Sequence, residues 1–287
     1  MLSGPTVLEK IWKELTDAQD RDSRQYSMAV ARCYSMKNRH SDIMPYDHNR
    51  VVLTNAKNDY INASYIKDLS STTPQFIASQ APVTSSFNDF WLMVYEQQIT
   101  IIASLIAHPA VGGKNTGFDQ YWLEERGQVQ TYGPIMLTMQ SKRNTDFHVE
   151  RVFNLMHKET KQMRTLFLLQ FTQWPEFGVM SNPTSLIHFI GEVNNYHKQQ
   201  RNPQTPVLVH CNCGVGRTGV FCVIYTAIQE MQAGNGIINI PQVINCLRQQ
   251  RKWMITEKEQ LKFCYDAVLV CAQQMLAKQS ALKNQLI

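Results

Sequence analysis

The chain has 287 residues, enough for one large domain or two small ones around a sizeable core. Apolar residues make up 44% and charged residues 18%, which excludes wholesale disorder. Lys plus Arg number 28 and Asp plus Glu 23, a net +5 that permits anionic ligands; without a basic block, no nucleic-acid partner is expected.

No apolar run approaches the roughly 18 residues of a membrane span, and no signal peptide is expected because the first residues lack an apolar stretch. The seven cysteines, an odd number without zinc-finger spacing, read as reduced intracellular thiols. In chain order, Leu8, Ile11, Trp12 and Leu15 share one helical face. Turn-rich sequence over residues 37–86 carries short alternating segments that predict strands between loops. A helix is predicted over 86–98 and a buried strand over 99–107. After Gly112-Gly113, strand-like runs at 120–123, 134–140, 147–156 and 164–171 predict an antiparallel meander. Helical period returns over 185–197, a short buried strand covers 206–210, and the chain ends in helix, with Leu261, Cys264, Tyr265, Val268, Cys271 and Met275 in phase. No linker or repeat interrupts this order. It predicts one α/β domain over 1–287 (core roughly 8–275), with a mixed sheet between helices.

The run VHCNCGVGRTG carries the most chemistry. A strand enters, a glycine-rich loop turns and a helix leaves. Such a loop aims consecutive N–H groups and the positive end of a helix dipole into one concavity, an anion site. Arg217, six residues after Cys211, can place a bidentate guanidinium over the same cup. That field lowers the pKa of Cys211 and makes it a nucleophile at neutral pH, suited to phosphoryl transfer without metal. Two blander readings compete: a dinucleotide loop, whose second strand ending in an acid is missing, and a small core cysteine.

These residues resemble the protein tyrosine phosphatase family, whose pattern HC-x-x-G-x-G-R-[ST]-G is met by His210, Cys211, Gly214, Gly216, Arg217, Thr218 and Gly219. KNRHSDIMPYDHNRVVL is similar to the phosphotyrosine-recognition loop, NDYINASYI and QAPVTSSFNDFW to framework segments, QWPEFGV to the mobile acid loop and EKEQLKFCYDAV to the final helix. Together with QEMQAGNGI and LRQQRKWM, the resemblance is to the His-domain type. It implies a twisted mixed sheet flanked by helices, with the phosphate-binding loop between a strand and a helix. It implies Cys211 as nucleophile, Arg217 as phosphate clamp, Thr218 as donor to the departing thiolate and Glu176 as acid. It also implies substrate contacts from His40, Asp42, Asn212, Cys213, Gly214, Val215, Gly216 and Gln260, a hinge at Trp174, and no cofactor or metal.

Several positions depart from that pattern. Glu176 stands for an aspartate; an extra methylene displaces the carboxyl by more than about 1 Å, enough for about 100-fold in rate. Its bland alternative is a surface turn. His40 stands for a tyrosine that walls the pocket; an exposed loop histidine is the alternative. Thr256 stands for the glutamine that positions water and, with Glu259, also reads as a capping box; Gln260 can partly replace the lost amide. Trp253 narrows the mouth or packs as core. Cys213 stands for a small residue, with a resolving-thiol role as an open alternative. Gly117 stands where a lysine is usual. Three functions compete. The expected one is a phosphotyrosine phosphatase with impaired turnover. A pseudophosphatase serving as a phosphotyrosine-binding scaffold in endosomal sorting is the alternative. An inositide phosphatase fits poorly, because the loop adds no charge. The resemblance further implies a phosphotyrosine protein as substrate, sorting partners contacted outside this chain, a monomer, and a cytoplasmic and endosomal location.

Overall fold

The computed structural model describes residues 6–106, 119–175 and 178–285. Helices α1 (Val7–Asp22), α2 (Ala29–Arg32), α3 (Phe87–Glu96), α4 (Thr184–Lys198), α5 (Gly216–Gln232), α6 (Ile240–Gln250) and α7 (Lys258–Gln285) flank a single sheet. Its strands are β1 (Arg50–Val52), β2 (Tyr60–Ile66), β3 (Phe76–Gln80), β4 (Ile101–Ser104), β5 (Val129–Tyr132), β6 (Ile135–Asn144), β7 (His148–His157), β8 (Met163–Phe171) and β9 (Val207–Cys211). They lie in the order β1-β2-β3-β9-β4-β8-β7-β6-β5. The core strands β3, β9, β4 and β8 run parallel, and the flanks are antiparallel. The expected mixed sheet and the meander from β5 to β8 are both present.

Period-two alternation splits the interior into two cores. Val207, Val209, Phe76, Ala78, Ile101 and Ala103 face the α4–α5–α7 layer. Leu208, Ile77 and Ile102 face α3 and the meander. Every residue of β9 is buried, as expected of a central parallel strand covered on both faces. Helix α5 is buried on nearly all sides. Its phosphate-loop end is therefore fixed by packing rather than by a capping side chain, since Val215 makes no cap bond. Helix α1 is held by its Thr6–Glu9 capping box and by Arg248, whose Nη1 donates to Leu15 O at 2.8 Å while the guanidinium lies over the Trp12 ring.

Three expectations change. Residues 120–123 form no strand: Tyr121, Trp122 and Leu123 are all buried, and the Tyr121 carbonyl accepts from the Trp91 indole and the Tyr132 hydroxyl instead of a ladder. Thr256 and Glu259 do not cap α7, which begins at Lys258; the Thr256 N–H and hydroxyl donate to Gln260 Oε1 at 2.9 and 3.2 Å. Strand β3, strand β5 and helix α6 add to the individually predicted elements. Among the described residues no helix is long and apolar enough to cross a membrane.

Candidate active site

Cys211 ends β9 and α5 starts at Gly216, so the intervening loop closes over the C-terminal edge of the parallel strands. Two glycines make that closure feasible. Gly214 has φ +71°, and a Cβ there would lie 2.2 Å from Ser79 O of β3. A Cβ on Gly216 would lie 2.8 Å from Thr256 Oγ1 and 2.9 Å from Gln260 Nε2. Ala81 N points at both Cys211 O and Asn212 O, at 3.0 Å each, and ties the loop to the end of β3.

Cys211 is nearly buried, at 5% exposure for the residue. Burial by itself pushes its pKa up. The Thr218 hydroxyl (3.3 Å), the Thr218 and Val215 amides and the Arg217 charge outweigh that, and the thiol sits below its ordinary value. Two residues on, burial and the Cys211 charge push Cys213 up to about 11, so it remains a thiol at neutral pH. The guanidinium of Arg217 donates from Nη1 to Leu105 O at 3.2 Å and from Nη2 to Pro175 O at 3.0 Å, with its centre 5.6 Å from the Trp174 ring. It thus bridges the phosphate loop, the end of β4 and the acid-loop segment. Trp174 is buried against Phe171 and Phe263, and its indole donates to Gly178 O.

Replacing Thr218 by valine keeps the shape and removes one hydrogen bond to the thiolate. A bond to a charged group contributes about 1.5–3 kcal/mol. The thiol pKa then rises and the thiolate fraction at pH 6 falls. Alkylation of Cys211 by iodoacetamide at pH 6 is expected to slow at least about tenfold, with the two proteins converging as pH rises past both midpoints. Equal rates at pH 6 would contradict this account.

His210 is completely buried, between the Tyr121 hydroxyl at Nε2 (2.6 Å) and Cys211 O at Nδ1 (3.4 Å). Burial, aided by the Arg39 charge, lowers its pKa to about 4, so the ring is neutral. Above pH 6.5 neither folded nor unfolded chain is protonated there, and the shift has no effect on stability. As pH falls from 6.5 toward 4, the unfolded chain takes a proton that the folded chain refuses, so stability declines by about 3 kcal/mol at most. Urea titrations of wild type and His210→Gln across this window should show a shallower loss in the variant.

Residues beyond the predicted set hold the cup in shape. Arg251 is fully buried beneath the loop. Its Nε donates to Gly214 O (2.9 Å), Nη2 to Cys213 O (3.0 Å) and Asn62 Oδ1 (2.7 Å), and Nη1 to Ser64 Oγ (3.0 Å). With two loop carbonyls drawn down onto Arg251, they are kept out of the anion cup. Nothing local in RQQRKWM announces this, since the contacts span 37 residues and more. The recognition segment is docked similarly: Gln80 accepts from Arg39 N and donates to Lys37 O, while Arg39 donates to Ala81 O and Pro82 O. His40 and Asp42 are exposed on that segment.

The structure therefore brings together Cys211, Asn212, Cys213, Gly214, Val215, Gly216, Arg217 and Thr218, with buried Gln260 beside Gly216. Glu176, the expected acid, and Gly117 lie outside the described residues. Trp253 is half-buried at φ +69°, with its N–H on Gln19 Oε1.

A family profile described as protein-tyrosine phosphatase matches residues 34–270. Tyrosine-protein phosphatase non-receptor type 23 of Homo sapiens is 46% identical over 272 residues, 95% of this chain and 16% of the relative. The Mus musculus protein of the same name is 45% identical over 277 residues, 96% of this chain and 16% of the relative. Receptor-type tyrosine-protein phosphatase F of Homo sapiens is 35% identical over 268 residues, 92% of this chain and 14% of the relative. The non-receptor type 23 relatives are of the His-domain type expected from the sequence. The chain spans about a sixth of their length.

Proposed function

This chain belongs to the protein-tyrosine phosphatase family, and on that premise we propose that it hydrolyses phosphotyrosine in proteins through a phosphocysteine, with turnover below that of vigorous members. The observation that carries the chemistry is the Cys211 sulfur, held as a thiolate-prone group by Thr218, Val215 and Arg217. In the first step Sγ attacks phosphorus, the bond from phosphorus to the tyrosine oxygen breaks, and Glu176 gives its proton to the leaving phenolate. In the second, water attacks the phosphocysteine, Glu176 recovers the proton and Thr218 donates to the departing thiolate. The loop amides and the Arg217 guanidinium neutralise the equatorial oxygens in both transition states.

The impaired rate is supported by Glu176 in place of an aspartate, by the sulfur of Cys213 in the loop and by Thr256. The Thr256 hydroxyl is spent on Gln260 Oε1, while Gln260 Nε2 stands beside it at Gly216 and carries an amide N–H. Gln260 is proposed as the group that places water. His40, Asp42 and the residues 212–216 are proposed as the substrate-binding set. A cytoplasmic and endosomal monomer, with sorting partners contacted outside residues 1–287, is proposed from the relationship to the non-receptor type 23 proteins. The scaffold alternative is favoured by the same geometry, because Arg217 and the amides can bind a phosphate without the acid.

Turnover of a phosphotyrosine peptide by wild type, Cys211→Ser, Glu176→Asp and Cys213→Ala separates these readings. A gain of about 10-fold or more in kcat for Glu176→Asp is expected, since the shorter acid restores proton-transfer reach. Wild type as fast as a vigorous family member would refute impairment. No turnover by any of the four proteins, with peptide still bound, would select the scaffold.

A further inference from the structure

The parallel strands carry Cys211 at their C-terminal edge; a cavity of about 590 Å³ opens at the opposite edge. It lies where β4 and β8 begin, under the C-terminal turn of α4 and the loop that follows. Thr100, Arg164, Phe167, Tyr196, Gln200 and Arg201 line it. Its volume is that of a small-ligand site.

The unusual feature is a set of unpartnered polar atoms on the residues around it. Buried polar atoms are nearly always hydrogen-bonded. Here Thr100 Oγ1, Arg164 Nη1, Gln200 Nε2 and Gln200 Oε1 are buried without a partner, and all four belong to residues lining one cavity. Arg164 is otherwise well placed: Nη2 donates to Tyr95 O at 2.9 Å and the guanidinium lies 4.9 Å from the Tyr95 ring centre. One edge of its planar fork is thus anchored while Nη1 has no partner. The apolar wall is the Phe167 and Tyr196 rings, 4.6 Å apart, with the Tyr196 hydroxyl fixed on Glu150 Oε2 at 2.6 Å. Arg201 adds a second positive charge, and among the described residues no carboxylate lines the cavity.

We infer that this cavity is a second ligand site that takes a phosphomonoester carried on a flat ring. A guanidinium edge, a hydroxyl and an amide N–H supply three donors for a tetrahedral dianion. The Phe167–Tyr196 wall takes the ring, and Gln200 Oε1 accepts from a hydroxyl on it. The site is separate from the phosphate loop, across roughly 15 Å of strand, and binding there needs neither Cys211 nor Arg217.

The test is site-resolved NMR on the whole chain, with phenylphosphonate as probe, which is not hydrolysed. Saturable amide shifts at residues 98–101, 164–167 and 199–202 are expected, with a dissociation constant no weaker than about 1 mM, resolved from shifts at 211–218. Arg164→Gln and Gln200→Leu should each weaken the first set at least tenfold. Both should leave the second set and peptide turnover within twofold. Gln200→Leu removes no bond the chain makes, so it serves where Arg164→Gln unfolds. Benzoate and inorganic phosphate, as further arms, should bind at least fivefold more weakly at the cavity. Absence of saturable shifts there, equal binding in Gln200→Leu, or benzoate binding as tightly as phenylphosphonate would each overturn the inference.

Discussion

Arg217→Lys is expected to lower kcat for a phosphotyrosine peptide by about 10³–10⁴-fold, with a rise in KM as well. The reason lies in geometry more than charge. A lysine ammonium keeps a positive charge near Cys211, but it has one nitrogen where the guanidinium uses two to reach Leu105 O and Pro175 O. Losing them uncouples the phosphate loop from the acid-loop segment, and the planar match to two phosphate oxygens goes with them. The thiolate should survive in part, since Thr218 and Val215 still donate to it. Alkylation of Cys211 in Arg217→Lys is therefore expected to stay within about tenfold of wild type while turnover collapses. A variant that retains more than a tenth of wild-type kcat would show that Arg217 acts as a point charge only.

Gly214→Ala should cost about 3–5 kcal/mol of stability. Two penalties coincide there. A non-glycine residue at φ +71° is strained, and its Cβ would stand 2.2 Å from Ser79 O and 2.9 Å from Gln80 N. Those atoms are backbone of β3, which is paired to β2 on one side and β9 on the other, so they have little room to yield. Gly236→Ala is the control: it has φ +87° with nothing within 4 Å, so it should cost about 1 kcal/mol, the conformational penalty alone. Urea denaturation of both variants measures the difference; equal midpoints would mean that the loop can slide away from β3.

The phosphate loop could be read from the sequence because its chemistry is packed into nine consecutive residues. Strands β7 and β8 and helix α4 were legible too, since their apolar periods persist over nine residues or more. Strand β3 was not. Its five residues are all buried and show no alternation, and turn-forming sequence surrounds them. Helix α6 carried its own signals, the Asn239 cap and Pro241 in the first turn, but its polar face of Gln, Asn and Arg masked the Val243, Ile244 and Leu247 stripe. Residues 120–123 misled for the opposite reason: three large apolar side chains suit a strand, yet they plug the core while the Tyr121 carbonyl bonds to side chains. The supports of the cup, Arg251 from behind and Gln80 with Arg39 from the side, depend on contacts tens of residues apart, which no local pattern encodes.

The central position of β9 has a consequence for biogenesis. The strand that fills the gap between β3 and β4 is the last of the nine to leave the ribosome. Until residue 207 emerges, a nascent chain presents two apolar strand edges with no mate, the arrangement most prone to association with neighbouring chains. The strand that closes the sheet also carries Cys211 at its end, so protection of those edges and delivery of Cys211 fall at the same late moment of synthesis.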